Sequence, residues 1–216
     1  FIPLAEESHL IVEVGNWVAA TTCETLARWR STEKKIVPVS INVSARQLRE
    51  SEFRIQLHAQ MQKHGIQASE IAIELTESMM IGDSDEIQNE LRLLADMGLE
   101  LMIDDFGTGY SSLTYLKRLR VAMLKIDQSF VRDMLDDPDD LAILQGIIGL
   151  AAAFKREVIA EGVETVSHGT ALLQLGCELG QGYGIARPMP ADQLPGWAAT
   201  WQPDAAWGDT VAVVGL

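Results

Sequence analysis

Two adjacent carboxylates, Asp104 and Asp105, close the apolar run Leu101-Met102-Ile103 and lead into the glycine-rich stretch Phe106-Gly107-Thr108-Gly109. A buried strand that ends in two negative charges calls for a metal ion, a basic partner or open solvent, because an unpaired buried carboxylate costs on the order of several kcal/mol. The arrangement recurs along the chain: Ile71-Ala72-Ile73 leads into Glu74, Val158-Ile159-Ala160 into Glu161, Met123-Leu124 into Lys125 and Val39-Ser40-Ile41 into Asn42. Oxygen donors from Asn42, Glu74, Asp104, Asp105 and Glu161 suit a hard cation such as Mg²⁺ or Mn²⁺. With this many carboxylates converging, two ions are expected. Two ions about 3.5 to 4 Å apart activate a water and stabilise the attacking and leaving oxygens of an in-line displacement, the usual solution for hydrolysing a phosphate ester. Lys125 would orient that water or neutralise developing charge. Taken singly, each residue has a plainer role: Glu74 or Lys125 in a structural ion pair, Asn42 at a strand end, Gly107 and Gly109 in a turn. The joint pattern carries the chemical reading.

The elements that must position these groups follow from periodicity. Short β-rich runs predict strands near residues 36 to 43, 71 to 77, 100 to 105, 122 to 127, 157 to 162 and 178 to 185. Between them, apolar residues recur at steps of three and four: Phe53, Leu57 and Met61; Ile87, Leu91 and Leu94; Leu141, Leu144, Ile148 and Ala151. Alternating strand and helix implies a parallel sheet covered by helices. An open doubly wound sheet would gather its ligand at one switch point. Here nearly every strand contributes a polar group at its end, which favours a TIM-type (β/α)8 barrel with its site at the carboxyl ends of the strands. Only six of the eight strands are visible.

The 216 residues, 47% hydrophobic, are read as one globular domain over 1–216, with a tail at 201–216 whose role the sequence leaves open. No apolar run is long enough to span a membrane and no signal peptide is visible. Cys23 and Cys177 match no metal or redox spacing, so a cytoplasmic setting is expected. The formal net charge of −14 argues against binding DNA or RNA polymers, whose phosphates need clustered Lys and Arg. His9, His58, His64 and His168 match no zinc spacing.

In order and spelling these residues resemble the EAL domain of bacterial cyclic di-GMP phosphodiesterases. The resemblance runs from Phe1 to about Pro190. It is carried by Phe1-Ile2-Pro3-Leu4-Ala5-Glu6, Ile41 through Leu48, Glu74-Leu75-Thr76-Glu77, Asp104 through Ser112, Leu124-Lys125-Ile126-Asp127, Glu161-Gly162-Val163-Glu164 and Gln181-Gly182-Tyr183. It implies a modified barrel that hydrolyses cyclic di-GMP to linear pGpG with two divalent metals. By motif, Asn42, Glu74 and Asp104 resemble ligands of one metal, and Asp104, Asp105 and Glu161 those of the second. Lys125 matches the lysine that contacts the attacking water, and Glu161 is also cast as a general base. Glu77 resembles the glutamate that holds the loop after Asp105. Glu164 and Gln181 match further positions of the site. The Phe106 to Ser112 segment looks like the loop that couples metal binding to dimerisation, so a homodimer is expected.

The Glu-Ala-Leu motif that names the family is absent. The resemblance therefore implies a domain lacking its first two strands, a glutamate ligand of the first metal and an arginine that holds the dinucleotide. Gly184-Ile185-Ala186-Arg187 also replaces the bulkier residues usual after Gln-Gly-Tyr. Two functions follow. One is a metal-dependent phosphodiesterase; the other is a catalytically inactive cyclic di-GMP sensor or interaction module. Persistence of Asn42, Glu74, Asp104, Asp105, Lys125 and Glu161 favours the enzyme. Fused sensory or diguanylate cyclase domains, and a membrane tether through other segments, are compatible with such a domain.

Overall fold

The computed structural model describes residues 1–32, 37–80, 85–109, 116–117 and 120–210. Six parallel strands lie in chain order: β1 Val39–Asn42, β2 Ile71–Thr76, β3 Glu100–Phe106, β4 Val121–Ile126, β5 Glu157–Glu161 and β6 Leu179–Gln181. Each strand pairs with the next, as consecutive staves of a barrel do, so the fold is α/β and forms part of a (β/α)8 barrel. All six strands coincide with the sequence expectations to within a few residues, apart from residue 36, which lies outside the described residues. The last strand is shorter than expected. It stops at Gln181 because the Ile185 and Ala186 N–H groups both turn back to donate to the Gly182 carbonyl.

The described helices are α1 Ile2–Glu7, α2 Leu10–Thr32, α3 Ala45–Arg49, α4 Glu52–His64, α5 Glu77–Met80, α6 Asp85–Asp96, α7 Gln128–Asp133, α8 Pro138–Ala153, α9 Val166–Gln174 and α10 Leu194–Thr200. Their starts are chemically marked. The side chains of Asp127, Asp137 and Thr165 accept from the backbone N–H groups of Ser129, Asp139 and His168, satisfying donors that the first turn of a helix leaves free. Pro138 at the first position of α8 has no N–H to leave unpaired.

Because strand side chains alternate, the sheet has two faces. One carries Ile41, Ile73, Leu75, Leu101, Ile103, Leu124, Ile126 and Ala160, buried against Phe53 and Leu57 of α4, Leu91 and Leu94 of α6 and Leu144 of α8. Each such fully buried side chain contributes about 1.5 to 3 kcal/mol. The other face carries a separate small cluster, Ala72, Met102, Met123 and Ile159, with Leu179 packed on it. This inner cluster is the floor on which the polar residues stand.

The chain from Ala205 to Thr210 forms a tight turn that docks Trp207 on α9, where its indole N–H donates to the Val166 carbonyl at 2.9 Å. Gly169 makes room for the ring, since a Cβ there would overlap it. Residues 211–216 of the tail lie outside the described residues.

Candidate metal centre

Moving two residues toward the carboxyl end from each member of the inner cluster replaces Ala72 by Glu74, Met102 by Asp104, Met123 by Lys125, Ile159 by Glu161 and Leu179 by Gln181. A period of two keeps these side chains on the same face, so an apolar floor is followed by a polar layer. Asn42 stands in register with Glu74 on β1, and Gln181 in register with Glu161 on β6. The structure thus brings Asn42, Glu74, Asp104, Lys125, Glu161 and Gln181 to one end of the sheet.

Lys125 is the centre of the layer and is 4% exposed. Its Nζ lies 3.0 Å from Oε2 of Glu74, 3.0 Å from Oδ1 of Asp104 and 2.7 Å from Oε1 of Glu161. Burial alone would push this lysine down, but the Glu161, Glu74 and Asp104 carboxylates outweigh it and hold the ammonium above its ordinary value. The lysine therefore stays charged. Burial raises the Glu161 carboxyl, and the charges of Asp104 and Glu74 add to that against the opposing pull of Lys125.

Asp105 joins the layer through a break in the β-pattern. Successive residues of a regular strand face opposite ways, yet carboxylate oxygens of Asp104, Asp105 and Glu161 all lie within 4.8 Å of one another. The β3–β4 register shifts between Ile103 and Phe106, and Asp105 has φ 54°, a left-handed conformation that aims two consecutive side chains at the same mouth. Burial, then the neighbouring charges of Asp104 and Asp127, hold the Asp105 carboxyl above its ordinary value. Asp127 was missed in the sequence reading. Its signal is the Lys-Ile-Asp spacing, which puts it two residues beyond Lys125.

Glu77 follows β2 and is buried. Its Oε2 accepts from the N–H groups of Gly107 at 2.9 Å and Gly109 at 3.3 Å, tying down the start of the loop after Asp105. Gly107 has φ 103°, and a Cβ there would lie 2.8 Å from Ile147 Cδ1, so glycine is required on both counts. The rest of the expected dimerisation loop, 110–112, lies outside the described residues. Glu164 shares no ion pair with the layer among the described residues. It is exposed and contributes to the field at Arg132 on α7. Cys23 and Cys177 are buried, with thiols pushed up to about 11 by desolvation, which suppresses the reactive thiolate. His168 packs against the start of α9, where its Nδ1 accepts from the Glu164 N–H at 3.5 Å.

The donor set fits a divalent cation. Oδ1 of Asp104 is buried and, although Lys125 Nζ is near, has no directed hydrogen bond. Among the described residues one ammonium faces Glu74, Asp104 and Glu161, with Asp105 adjacent, which leaves this layer short of positive charge. Carboxylate oxygens with lone pairs left over are the ligands that Mg²⁺ and Mn²⁺ prefer.

A family model described as the EAL domain matches residues 1–188. The chain belongs to the EAL domain family. As an EAL domain it shares the fold and sequence of cyclic di-GMP phosphodiesterases of bacterial signalling. It is 41% identical over 203 residues to the oxygen sensor protein DosP of Escherichia coli, covering 94% of this chain and 25% of DosP. It is 39% identical to MucR of Pseudomonas aeruginosa, a bifunctional diguanylate cyclase/cyclic di-GMP phosphodiesterase, over 90% of this chain and 28% of MucR. Among solved structures, the PaMucR phosphodiesterase in complex with c-di-GMP superposes with a TM-score of 0.85 at 39% identity, covering 90% of this chain and 78% of that one. The EAL domain of Mycobacterium smegmatis DcpA gives 0.81 at 37% identity, over 89% and 87% respectively. The EAL chain spans about a quarter to a third of the length of the curated relatives it matches. No described helix is long and apolar enough to cross a membrane.

Proposed function

We propose that this EAL domain hydrolyses cyclic di-GMP to linear pGpG with the help of two divalent cations. The observation that carries the reading is the polar layer itself, in which Lys125 alone among the described residues faces Glu74, Asp104 and Glu161 and the Asp104 oxygen has a lone pair to spare. Asn42, Glu74 and Asp104 would hold one ion and Asp104, Asp105 and Glu161 the other. When bound, the ions would supply Lewis-acid polarisation of the phosphodiester and a lowered pKa for water.

The remaining work falls to the chain. Glu161, whose carboxyl burial raises above its ordinary value in the metal-free layer, is the carboxylate we assign to accept a proton from the attacking water. Lys125 keeps its charge, and with two of its N–H donors given to Glu74 and Glu161 the third is left to orient the water and meet the negative charge that develops on the phosphoryl oxygens. Glu77 keeps the Asp105 loop in place. Gln181, on the far side of Glu161, faces a cleft of about 440 Å³ that also takes in Val39, Thr21, Thr25, Trp29 and Tyr183. This cleft lies between β6 and β1, the two ends of the described sheet.

The test is hydrolysis of cyclic di-GMP with Mn²⁺ followed by chromatography. Formation of pGpG that depends on the metal supports the reading. Binding without turnover, both in this chain and in a version carrying the strands that would close the barrel, assigns the domain to the sensor class instead.

A further inference from the structure

Gly15 sits in the interior of α2, where glycine costs up to about 1 kcal/mol relative to alanine, so its presence needs a reason. The reason is Gln47. A Cβ at Gly15 would overlap the Gln47 amide nitrogen and stand 2.7 Å from its Cδ. Gln47 is 1% exposed, and its Oε1 accepts from both the Ser44 N–H and the Ser44 hydroxyl at 3.0 Å, while Ser44 Oγ accepts from the Gln47 N–H at 3.3 Å. This reciprocal cap fixes the first turn of α3. The neighbouring Arg46 clamps the same turn to the corner between α1 and α2, donating to the Glu6 carbonyl and contacting the His9 ring, whose residue takes φ 64°.

Asn42 lies two residues before Ser44. Its side chain is exposed and makes no hydrogen bond among the described residues, so nothing but backbone aims it. That backbone is held on one side by the Val43 N–H, which donates to the Glu74 carbonyl at 3.0 Å, and on the other by the Ser44 to Gln47 cap. We propose that Gly15 is a positioning residue for the centre: by admitting the Gln47 amide against α2 it fixes α3, and through α3 the direction of the Asn42 carboxamide. The ligand role of Asn42 in this chain of contacts rests on the metal reading above; the positional link from Gly15 to residues 42–48 does not.

Two measurements separate them. Hydrogen exchange in the metal-free chain reads the link directly. In Gly15→Ala, amides of residues 42–48 are expected to lose protection while those of β4 and β5 keep theirs; protection unchanged at 42–48 would overturn the proposal. Because the added methyl also strains α2, Gln47→Ala, which removes both this contact and the Ser44 cap without adding volume, should give a local loss at 42–48 at least as large; no loss in either variant would overturn the proposal. Calorimetric titration with Mn²⁺ alone reads the consequence. Gly15→Ala is expected to weaken binding about tenfold, the size seen when the support of a ligand is removed. In Gly15→Ala/Asn42→Ala the loss should equal that of Asn42→Ala, since both act on one ligand. A Gly15 that matters only for folding would lower the thermal midpoint, leave the folded protein's Mn²⁺ affinity unchanged and overturn the proposal. Wild type that binds no Mn²⁺ would refute the metal reading, leaving exchange to decide the link.

Discussion

The ammonium of Lys125 lies 2.7 Å from Oε1 of Glu161, the shortest of its three ion pairs. Lysine and carboxylates here support each other, because neither sign is well solvated at this depth. Removing Lys125 leaves Glu74, 6% exposed, without its ion-pair partner among the described residues. Breaking a buried pair in this way costs about 3 to 5 kcal/mol. Lys125→Met should lose stability of that order in urea unfolding of the metal-free chain, and Mn²⁺ should restore more of it than the same ion adds to wild type. Unchanged stability would contradict the description of the layer.

Turnover offers a second reading of the same residue. If Lys125 meets the water and the developing charge, Lys125→Ala slows kcat far more than it raises KM. Matched losses in the two would make it a substrate contact.

The Glu77 carboxylate bonds two glycine N–H groups, and hydrogen bonds to a charged acceptor contribute about 1.5 to 3 kcal/mol each. Glu77→Ala is expected to speed amide exchange at Gly107 and Gly109 well beyond the change in β3 and to weaken Mn²⁺ binding through Asp105. Retained protection at both amides would show that other contacts hold the loop.

Acidification should release the metal early. Asp105 and Glu161 must be ionised to bind a cation, and both carboxyls are raised, chiefly by burial. Affinity for Mn²⁺ should therefore fall at a higher pH than the range near 4 where exposed carboxylates protonate. The sign for folding is opposite. A carboxyl with a raised native pKa binds its proton more tightly folded than unfolded, so these two groups penalise the metal-free fold at neutral pH, and the penalty is relieved as pH falls through the raised values. Calorimetry across this range, with unfolding in parallel, checks both slopes. An affinity that falls only where exposed carboxylates titrate would contradict the raised carboxyls.

Much of this was legible in the residue order. The runs ending in Glu74, Asp104, Lys125 and Glu161 are strands because short apolar stretches between helical periods leave little else, and the two-residue alternation fixes which face each charge takes. The helices carrying Phe53, Leu57 and Met61, and Ile87, Leu91 and Leu94, bury those residues as their spacing requires. The long α2 was not anticipated. Its buried line runs through Gly15, Ala19 and Cys23, small residues that carry a weak apolar signal though they allow close packing. Nor does strand alternation predict that Asp105 joins Asp104, since it is a register shift and a left-handed residue that turn it. Glu164 shares a motif with Glu161 but follows a turn at Gly162, and spacing alone does not say which way it faces. Glu164 is exposed at this turn.

The most direct test joins Asp104, shared by both proposed ligand sets, to the reaction. Cyclic di-GMP is incubated with Mn²⁺ and either wild-type domain or Asp104→Ala, each carrying the strands that close the barrel, and pGpG is quantified. Metal-dependent pGpG from wild type and none from Asp104→Ala is the predicted result; turnover that survives the substitution, or binding without turnover in wild type, would contradict the two-metal hydrolase.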